Sequence, residues 1–126
     1  MNSVTLCIPT LNRADLLREA VASARAGSRP PDKIAVMDNG GSCPPIEGAE
    51  IVRLGYNLGV AGSWNWFLDH FDDWLIISND DVRFHEDTIA KLIDAAEAKP
   101  DQIFFCPASG AGQAWALFLK RKKSLE

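Results

Sequence analysis

The sequence lacks long apolar runs, has few cysteines and carries no excess of positive charge. No stretch approaches the ~20 apolar residues that a membrane-spanning helix needs, so no membrane span is predicted. The three cysteines are an odd number without the spacing of a zinc site, which indicates reduced thiols and a cytoplasmic location. Residues 1–3 lack the basic start of a secretory signal peptide, which agrees with that location.

The lack of excess positive charge indicates which binding partners the chain can have. The formal net charge is −4, whereas proteins that hold nucleic acid usually carry a basic surface, so no nucleic-acid partner is predicted. A phosphate held by a metal ion or by backbone N–H groups is still compatible with this charge. The length of 126 residues predicts a single domain over residues 1–123, and residues 124–126 are interpreted as a cloning tail.

What the sequence does contain is an alternation of short β-rich runs and amphipathic segments. This alternation predicts an α/β fold, with a mostly parallel sheet and helices on both faces. The predicted strands are Val4–Ile8, Lys33–Met37, Glu50–Leu54, Trp74–Ile77, Ile103–Cys106 and Ala114–Leu119. The predicted helices run from a cap at Asn12 or Asp15 to about Ala26 and a C-cap at Gly27, from about Val60 to His70, and from about Glu86 to Pro100.

The fourth predicted strand runs directly into residues 78–81, which read Ser-Asn-Asp-Asp. In open α/β sheets, ligands bind beyond the carboxyl ends of the strands. Two adjacent carboxylates repel each other, and Mg²⁺ or Mn²⁺ would relieve that repulsion because these ions prefer carboxylate oxygens. The pair Asp80 and Asp81 is therefore a candidate metal site, with a solvated acidic turn that caps the next helix as the alternative.

Three other segments are expected near that edge of the sheet. They are residues 9–13 (Pro-Thr-Leu-Asn-Arg), 38–42 (Asp-Asn-Gly-Gly-Ser) and 57–65 (Asn-Leu-Gly-Val-Ala-Gly-Ser-Trp-Asn). The small residues Gly59, Ala61 and Gly62 either let a phosphate approach a helix N-terminus or allow close helix–sheet packing. Asp38 either accepts a hydrogen bond from the ring N–H of a base or caps its own glycine turn. The Thr and Asn of the first segment are candidate pocket residues or simple turn and cap residues.

In this order, the four segments resemble the nucleotide-sugar half of the inverting family 2 glycosyltransferases of the GT-A fold. That family has a strand ending in Pro-Thr/Ser-x-Asn-Arg, a strand ending in Asp-Asp/Asn-Gly-Ser, an Asn-x-Gly segment with a later Asn, and a strand ending in a DxD-type cluster. The match covers about residues 4–119 and is most similar to rhamnosyltransferase-like members, whose DxD position often begins with Asn. The resemblance implies a Rossmann-like GT-A nucleotide-diphospho-sugar transferase fold.

The resemblance also implies a role for residues of each segment. A UDP- or dTDP-sugar would be bound by Pro9, Thr10, Asn12, Arg13, Asp38, Asn57, Gly59, Gly62, Asn65, Asn79 and Asp80. Within this set Asp38 would contact a uracil-type base and Asp80 would face the sugar or ribose. Asp81 would hold Mg²⁺ or Mn²⁺ against the diphosphate, where the ion stabilises the charge of the leaving group.

Two departures from the family pattern concern activity. Asn79 replaces the first acid of a strict DxD, which still provides an oxygen ligand but no negative charge. An inverting transfer also needs a general base, and no acidic residue lies between Asp101 and Glu126. We therefore expect an acceptor-binding half to be supplied from elsewhere, with a fragment, a natural short form, a homo-oligomer and one part of a complex as alternatives.

Three functions other than sugar transfer are compatible with an α/β fold of this kind. A nucleotide-binding module of the same fold without transfer activity is the main alternative. A redox Rossmann enzyme is disfavoured because residues 9–13 lack Gly-x-Gly-x-x-Gly. A response-regulator receiver is disfavoured because the Lys expected after a later strand is missing at Cys106-Pro107.

Overall fold

The computed structural model describes residues 3–71 and 74–102 in full, and residues 104–105 and 116–119 by their backbone. The described residues form six strands: β1 (Val4–Thr10), β2 (Lys33–Asp38), β3 (Glu50–Val52), β4 (Trp74–Ser78), β5 (Phe104–Phe105) and β6 (Ala116–Leu119). They also form three helices: α1 (Ala14–Arg25), α2 (Gly59–His70) and α3 (Thr88–Ala98). In this part of the chain, no helix is long and apolar enough to span a bilayer.

The strands make one sheet in the order β3-β2-β1-β4-β6-β5. The first four strands in this order are parallel, whereas β6 runs antiparallel to both β4 and β5. The predicted mostly parallel sheet is confirmed. The predicted fifth and sixth strands are found at 104–105 and 116–119, and their remaining predicted residues, like residues 120–126, lie outside the described residues.

Helices cover both faces of the sheet, because side chains of a strand point alternately to its two sides. On one face, Leu6 and Ile8 of β1 pack with α1 and α3. The helices contribute the buried side chains Leu17, Ala20, Val21, Ala24, Ile89, Leu92, Ile93 and Ala96. On the other face, Cys7 of β1 packs with Phe67 of α2. Both cores anchor the central strands, so the positions of the strand ends follow from the packing.

The strand register brings the carboxyl ends together. Thr10 at the end of β1 lies opposite Asp38 at the end of β2, and Cys7 lies opposite Ile77 of β4. Because the strands are parallel, the turns that follow β1, β2 and β4 leave the sheet at the same edge. The candidate residues of three separate segments therefore share one site.

The ends of α1 and α3 differ from their predicted positions, whereas α2 (Gly59–His70) agrees with its prediction to within one residue. Neither Asn12 nor Asp15 caps α1, whose N-cap is Arg13 without a side-chain hydrogen bond. The C-cap of α1 is Ala26 rather than Gly27, and a Cβ on Gly27 would lie 3.0 Å from the carbonyl oxygen of Glu86. That same carbonyl accepts a hydrogen bond from the backbone N–H of Ser28 at 2.8 Å. This contact between distant segments accompanies the start of α3 at Thr88 instead of Glu86.

Candidate functional site

A buried carboxylate lies where β1 and β4 end. The side chain of Asp80 is 2% exposed, and its Oδ2 accepts a hydrogen bond from Thr10 Oγ1 at 2.8 Å. The Arg13 guanidinium donates to both oxygens, through Nε to Oδ2 at 3.3 Å and through Nη2 to Oδ1. A buried carboxylate is costly unless it is paired and hydrogen-bonded, and here it has both kinds of partner.

The neighbouring carboxylate has a very different environment. Asp81 is 46% exposed, and its Oδ2 lies 3.9 Å from Arg13 Nη1. Arg13 thus stands between two carboxylates and neutralises one charge of the two. Asp81 keeps oxygen atoms accessible from solvent, as a ligand for an incoming cation must.

Beside this pair lies a cleft of about 240 Å³. Its walls come from the turn after β1 and the loop after β2, through Thr10, Asn12, Arg13, Ala14, Ser42, Cys43 and Pro44. Small-molecule pockets usually measure ~300–1,000 Å³, so this cleft has room for part of a nucleotide, such as its base or ribose. The predicted residues Thr10, Asn12 and Arg13 all line it, while Pro9 is buried within β1.

The loop after β2 is organised by Asp38. This residue is 3% exposed, and its Oδ1 accepts the backbone N–H of Gly41 at 2.8 Å. Its Oδ2 accepts the backbone N–H of Cys43 at 3.2 Å and a hydrogen bond from Arg53 Nη1. The turn-capping alternative for Asp38 is therefore present in the structure. Oδ1 receives one of these donors, and a carboxylate oxygen can accept two.

The turns after β1 and β2 touch each other. The backbone N–H of Asn39 donates to the carbonyl of Thr10 at 3.0 Å, and Ser42 Oγ donates to Asn12 Oδ1 at 3.2 Å. A Cβ on Gly40 would collide with the end of the Asn12 side chain, so a larger residue there would force that side chain to move. Asn12 itself has φ 56°, in the left-handed region that Asn tolerates better than most residues.

The third segment joins the site at the start of α2. Asn39 Oδ1 accepts the backbone N–H of Leu58 at 3.1 Å, and Asn39 Nδ2 donates to Ser63 Oγ at 2.9 Å. This buried amide ties the end of β2 to the first turn of α2. Asn57 accepts the backbone N–H of Gly59 at 2.7 Å, and Gly59 has φ 73°.

The two remaining residues of this segment lie farther along α2. A Cβ on Gly62 would lie 3.2 Å from the Cβ of Leu58, the N-cap residue of the same helix, so the space there is limited by the start of α2 and not by a contact with the sheet. Asn65 is exposed on the helix surface. Asn57 and Gly59 thus lie at the start of α2, near the edge of the sheet, whereas Gly62 and Asn65 lie further along the helix.

Several residues of the site were not identified from the sequence. The sequence indicates only a turn at Asn39, and it predicts a third strand that includes Arg53, whereas β3 ends at Val52. Cys43 and Pro44 line the cleft without any motif to indicate it. The one available signal for Arg53 is its position directly after the short apolar run Ile51-Val52.

Burial also affects the thiol at the cleft. The pKa of Cys43 is raised above its ordinary value, chiefly by burial and also by the neighbouring Asp38 carboxylate, while Arg53 and Arg18 act in the opposite direction. The thiol is therefore held in its neutral form at neutral pH, where it is a poor nucleophile.

A divalent cation would need ligands from outside the protein at this edge. In the described part of the chain, no three His, Cys, Asp or Glu side chains group as a metal site. Mg²⁺ commonly binds through one or two carboxylates, with water and substrate phosphates completing its shell. Asp81 fits such a shared site, whereas Asp80 is engaged by Arg13 and Thr10. Asn79 follows the end of β4 and is part-buried.

The chain is similar to one protein family and to several solved structures. A family model described as Glycosyl transferase family 2 matches residues 5–124. The structure is similar to the mannosyltransferase PcManGT from Pyrobaculum calidifontis in complex with GDP-Man and Mn²⁺, with a TM-score of 0.76 and 18% identity over 96% of this chain and 45% of that one. It is also similar to S. aureus TarS 1-349 in complex with UDP-GlcNAc, with a TM-score of 0.64 and 13% identity over 78% of this chain and 32% of that one.

These similarities show the GT-A fold of this chain. At identities of 18% and 13%, they show nothing about its substrate or activity. No curated protein sequence matches the chain. The chain spans less than half the length of each of these two structures. The rhamnosyltransferase-like resemblance is not tested by them and stays a prediction.

Proposed function

The chain belongs to glycosyl transferase family 2, and from this premise we propose that its sheet edge binds a nucleotide-diphospho-sugar together with Mg²⁺ or Mn²⁺. In this proposal the chain is the donor side of an inverting glycosyltransferase. The observation that carries it is the pair of adjacent carboxylates at the end of β4. Asp80 is buried and paired, while Asp81 is exposed next to a cleft.

Base and ribose would occupy the cleft. Its two walls offer side-chain and backbone polar groups from Thr10, Asn12 and Ser42, next to the apolar surface of Pro44. Asp38 lies at the end of β2, directly before the loop that forms one of these walls. Its Oδ1 accepts one hydrogen bond, from Gly41, and could accept a second from the ring N–H of a uracil or thymine base.

The diphosphate would lie between the cleft and α2. The first backbone N–H groups of a helix and its dipole favour anions. At the start of α2 the N–H groups of Leu58 and Gly59 already donate to Asn39 and Asn57, so the N–H groups that follow them would be the ones to meet the phosphates. Arg13 adds a guanidinium that is 49% exposed on the same side of the site. Asn57, Gly59 and Arg13 would then border the path of the phosphates.

Asp81 and Asn79 would hold the divalent ion, which supplies charge stabilisation to the leaving diphosphate when it is bound. The protein's own part is to orient Asp80 through Thr10 and Arg13, so that Asp80 would present a fixed acceptor towards ribose or sugar. The two structural relatives support nucleotide-sugar binding as a property of the fold: one was solved with GDP-Man and Mn²⁺ and the other with UDP-GlcNAc.

Equilibrium dialysis with radiolabelled UDP tests this proposal. We expect Mn²⁺ to increase UDP binding by the unmodified chain, and Asp81→Asn to remove most of that increase because one carboxylate ligand is lost. Asp69→Asn is the matched control, since Asp69 is exposed in the last turn of α2, at the opposite end of that helix from Gly59. Equal metal dependence in all three proteins would remove Asp81 from the metal role.

A nucleotide-binding module without transfer activity is the second candidate. One observation favours it: the stretch between Asp101 and Glu126 contains no carboxylate that could act as general base. Under the first candidate, the acceptor side and the base come from further sequence or from another chain, including a second copy. A cytoplasmic location is proposed on the cysteine pattern alone.

A further inference from the structure

Arg53 lies outside the four motif segments, yet it contacts the loop that forms one wall of the cleft. We call residues 39–44, which follow β2, the wall loop. The register pairs Met37 with Val52, so the next residues along the two strands, Asp38 and Arg53, lie side by side. Asp38 and Arg53 are 15 residues apart in the chain and come together only because β2 pairs with β3.

The guanidinium of Arg53 makes a two-point contact. Nη1 donates to Asp38 Oδ2, and Nη2 donates to the carbonyl of Cys43 at 2.6 Å. The planar fork of arginine can satisfy two acceptors at once, which the point charge of a lysine ammonium does less well. Arg53 therefore links the start of the wall loop to the residue that lines the cleft.

The buried carboxylate of Asp38 depends on this contact. Its side chain is 1% exposed, and in the described part of the chain its ion pair comes from Arg53. Its other donors are backbone N–H groups of the wall loop itself, at Gly41 and Cys43. Without the guanidinium, the buried carboxylate of Asp38 would be stabilised only by N–H groups of the wall loop. An unpaired buried charge is costly, so we expect the loop to become less ordered.

We propose that Arg53 is a positioning residue of the nucleotide site, which holds the wall loop in the shape that binds base and ribose. Arg53 does not line the cleft, whereas Ser42, Cys43 and Pro44 do, so it acts through the loop. The inference rests on the proposed nucleotide function and deepens it by adding a residue that the motifs do not contain.

The first test compares UDP affinity in Arg53→Met, Arg53→Lys and Arg25→Met. Arg25 is the matched control: its side chain is also 46% exposed and its Nη1 lies 3.9 Å from a carboxylate oxygen of Glu47, which is itself 91% exposed. We expect Arg53→Met to raise the Kd on the order of tenfold, the size of one charged hydrogen bond. Arg53→Lys should lie between this value and that of the unmodified chain, and Arg25→Met should leave the Kd unchanged.

The second test measures the loop without any nucleotide. Amide hydrogen exchange followed by NMR should be faster at Gly41 and Cys43 in Arg53→Met, while the amides of β1 keep their protection. An unspecific loss of stability would speed exchange in β1 as well. If Arg53→Met does not fold, Arg53→Lys is measured in the same way, because it keeps the charge beside Asp38.

The outcomes separate this inference from the proposed function. If the unmodified chain binds UDP and Arg53→Met binds it equally well, the inference is wrong and the proposed function stands. An equal loss in Arg25→Met would also overturn it, since the effect would then be one of net charge. If no protein binds nucleotide but the Gly41 and Cys43 amides respond, the proposed function fails and Arg53 is shown to brace the loop.

Discussion

Asp80 and Asp81 are neighbours in the chain with opposite surroundings. Asp80 is enclosed by Thr10 and Arg13, whereas Asp81 is half-exposed with a guanidinium nitrogen at 3.9 Å. The sequence shows two equivalent carboxylates, and the fold assigns one to structure and orientation and leaves the other accessible. In the proposed function, this division would let Asp81 bind a cation while the pair between Asp80 and Arg13 stays intact.

Neutralising each carboxylate should therefore have different consequences for stability. Asp80→Asn should lower the free energy of unfolding by about 1–3 kcal/mol, because Arg13 and Thr10 lose their charged acceptor. Asp81→Asn should change it by less than about 0.5 kcal/mol, as exposed substitutions usually do. Urea unfolding of both variants measures this, and equal losses would show that the two residues are not divided in this way.

The buried thiol of Cys43 gives a pH dependence with a defined sign. Its pKa is raised in the folded protein, so the folded state holds the proton more tightly than the unfolded state. The stabilisation is complete below the unfolded pKa of about 8.5 and is lost as pH rises through the folded pKa. The urea-unfolding free energy should fall at alkaline pH less in Cys43→Ser than in the unmodified chain, and identical slopes would argue against the raised pKa.

At the level of elements, the sequence predicted the sheet and helices because their periodicities of two and 3.6 residues are local signals. It failed at element ends. The start of α3 and the contact at Gly27 accompany the hydrogen bond between Ser28 and Glu86, whereas α2 begins within one residue of its predicted start. Site residues in turns were predictable from motif order, whereas Arg53 was not, since its partners appear only when β2 pairs with β3.

The junction before α2 offers a test at this scale. Gly59 has φ 73°, and a Cβ there would meet no atom within 4 Å, so the cost of Gly59→Ala is one of backbone conformation. We expect a loss of about 1–2 kcal/mol in the free energy of unfolding. Val60→Ala, at the next and half-exposed position of α2, should lose less than that. A smaller loss in Gly59→Ala than in Val60→Ala would contradict the left-handed conformation.

In the proposed function, the described residues supply the donor side. The chain aligns with the mannosyltransferase over 96% of its own length but only 45% of that protein, and one edge of its sheet carries the cleft, the buried carboxylates Asp38 and Asp80 and the exposed carboxylate Asp81. An acceptor surface is a separate requirement, because the acceptor hydroxyl has to be placed and deprotonated.

These 126 residues alone are therefore expected not to transfer sugar to an acceptor. A positioned general base contributes roughly 10²–10⁴-fold, and no acid is present after Asp101 until Glu126. A radiolabelled donor incubated with the chain and a lysate of candidate acceptors tests this, with slow release of free sugar as the only expected turnover. Robust labelling of an acceptor would show that the base lies elsewhere, and His70, His85 and Asp101 would be the residues to substitute.

The most direct test of the central claim is calorimetric titration of the unmodified chain with UDP, dTDP and GDP, each with Mn²⁺ and with EDTA. The proposal predicts binding of UDP or dTDP in preference to GDP, with a higher affinity when Mn²⁺ is present, because Asp81 and the diphosphate would share the ion. Absence of heat and of binding for all three nucleotides under both conditions would contradict nucleotide binding at this sheet edge and leave the fold without the proposed function.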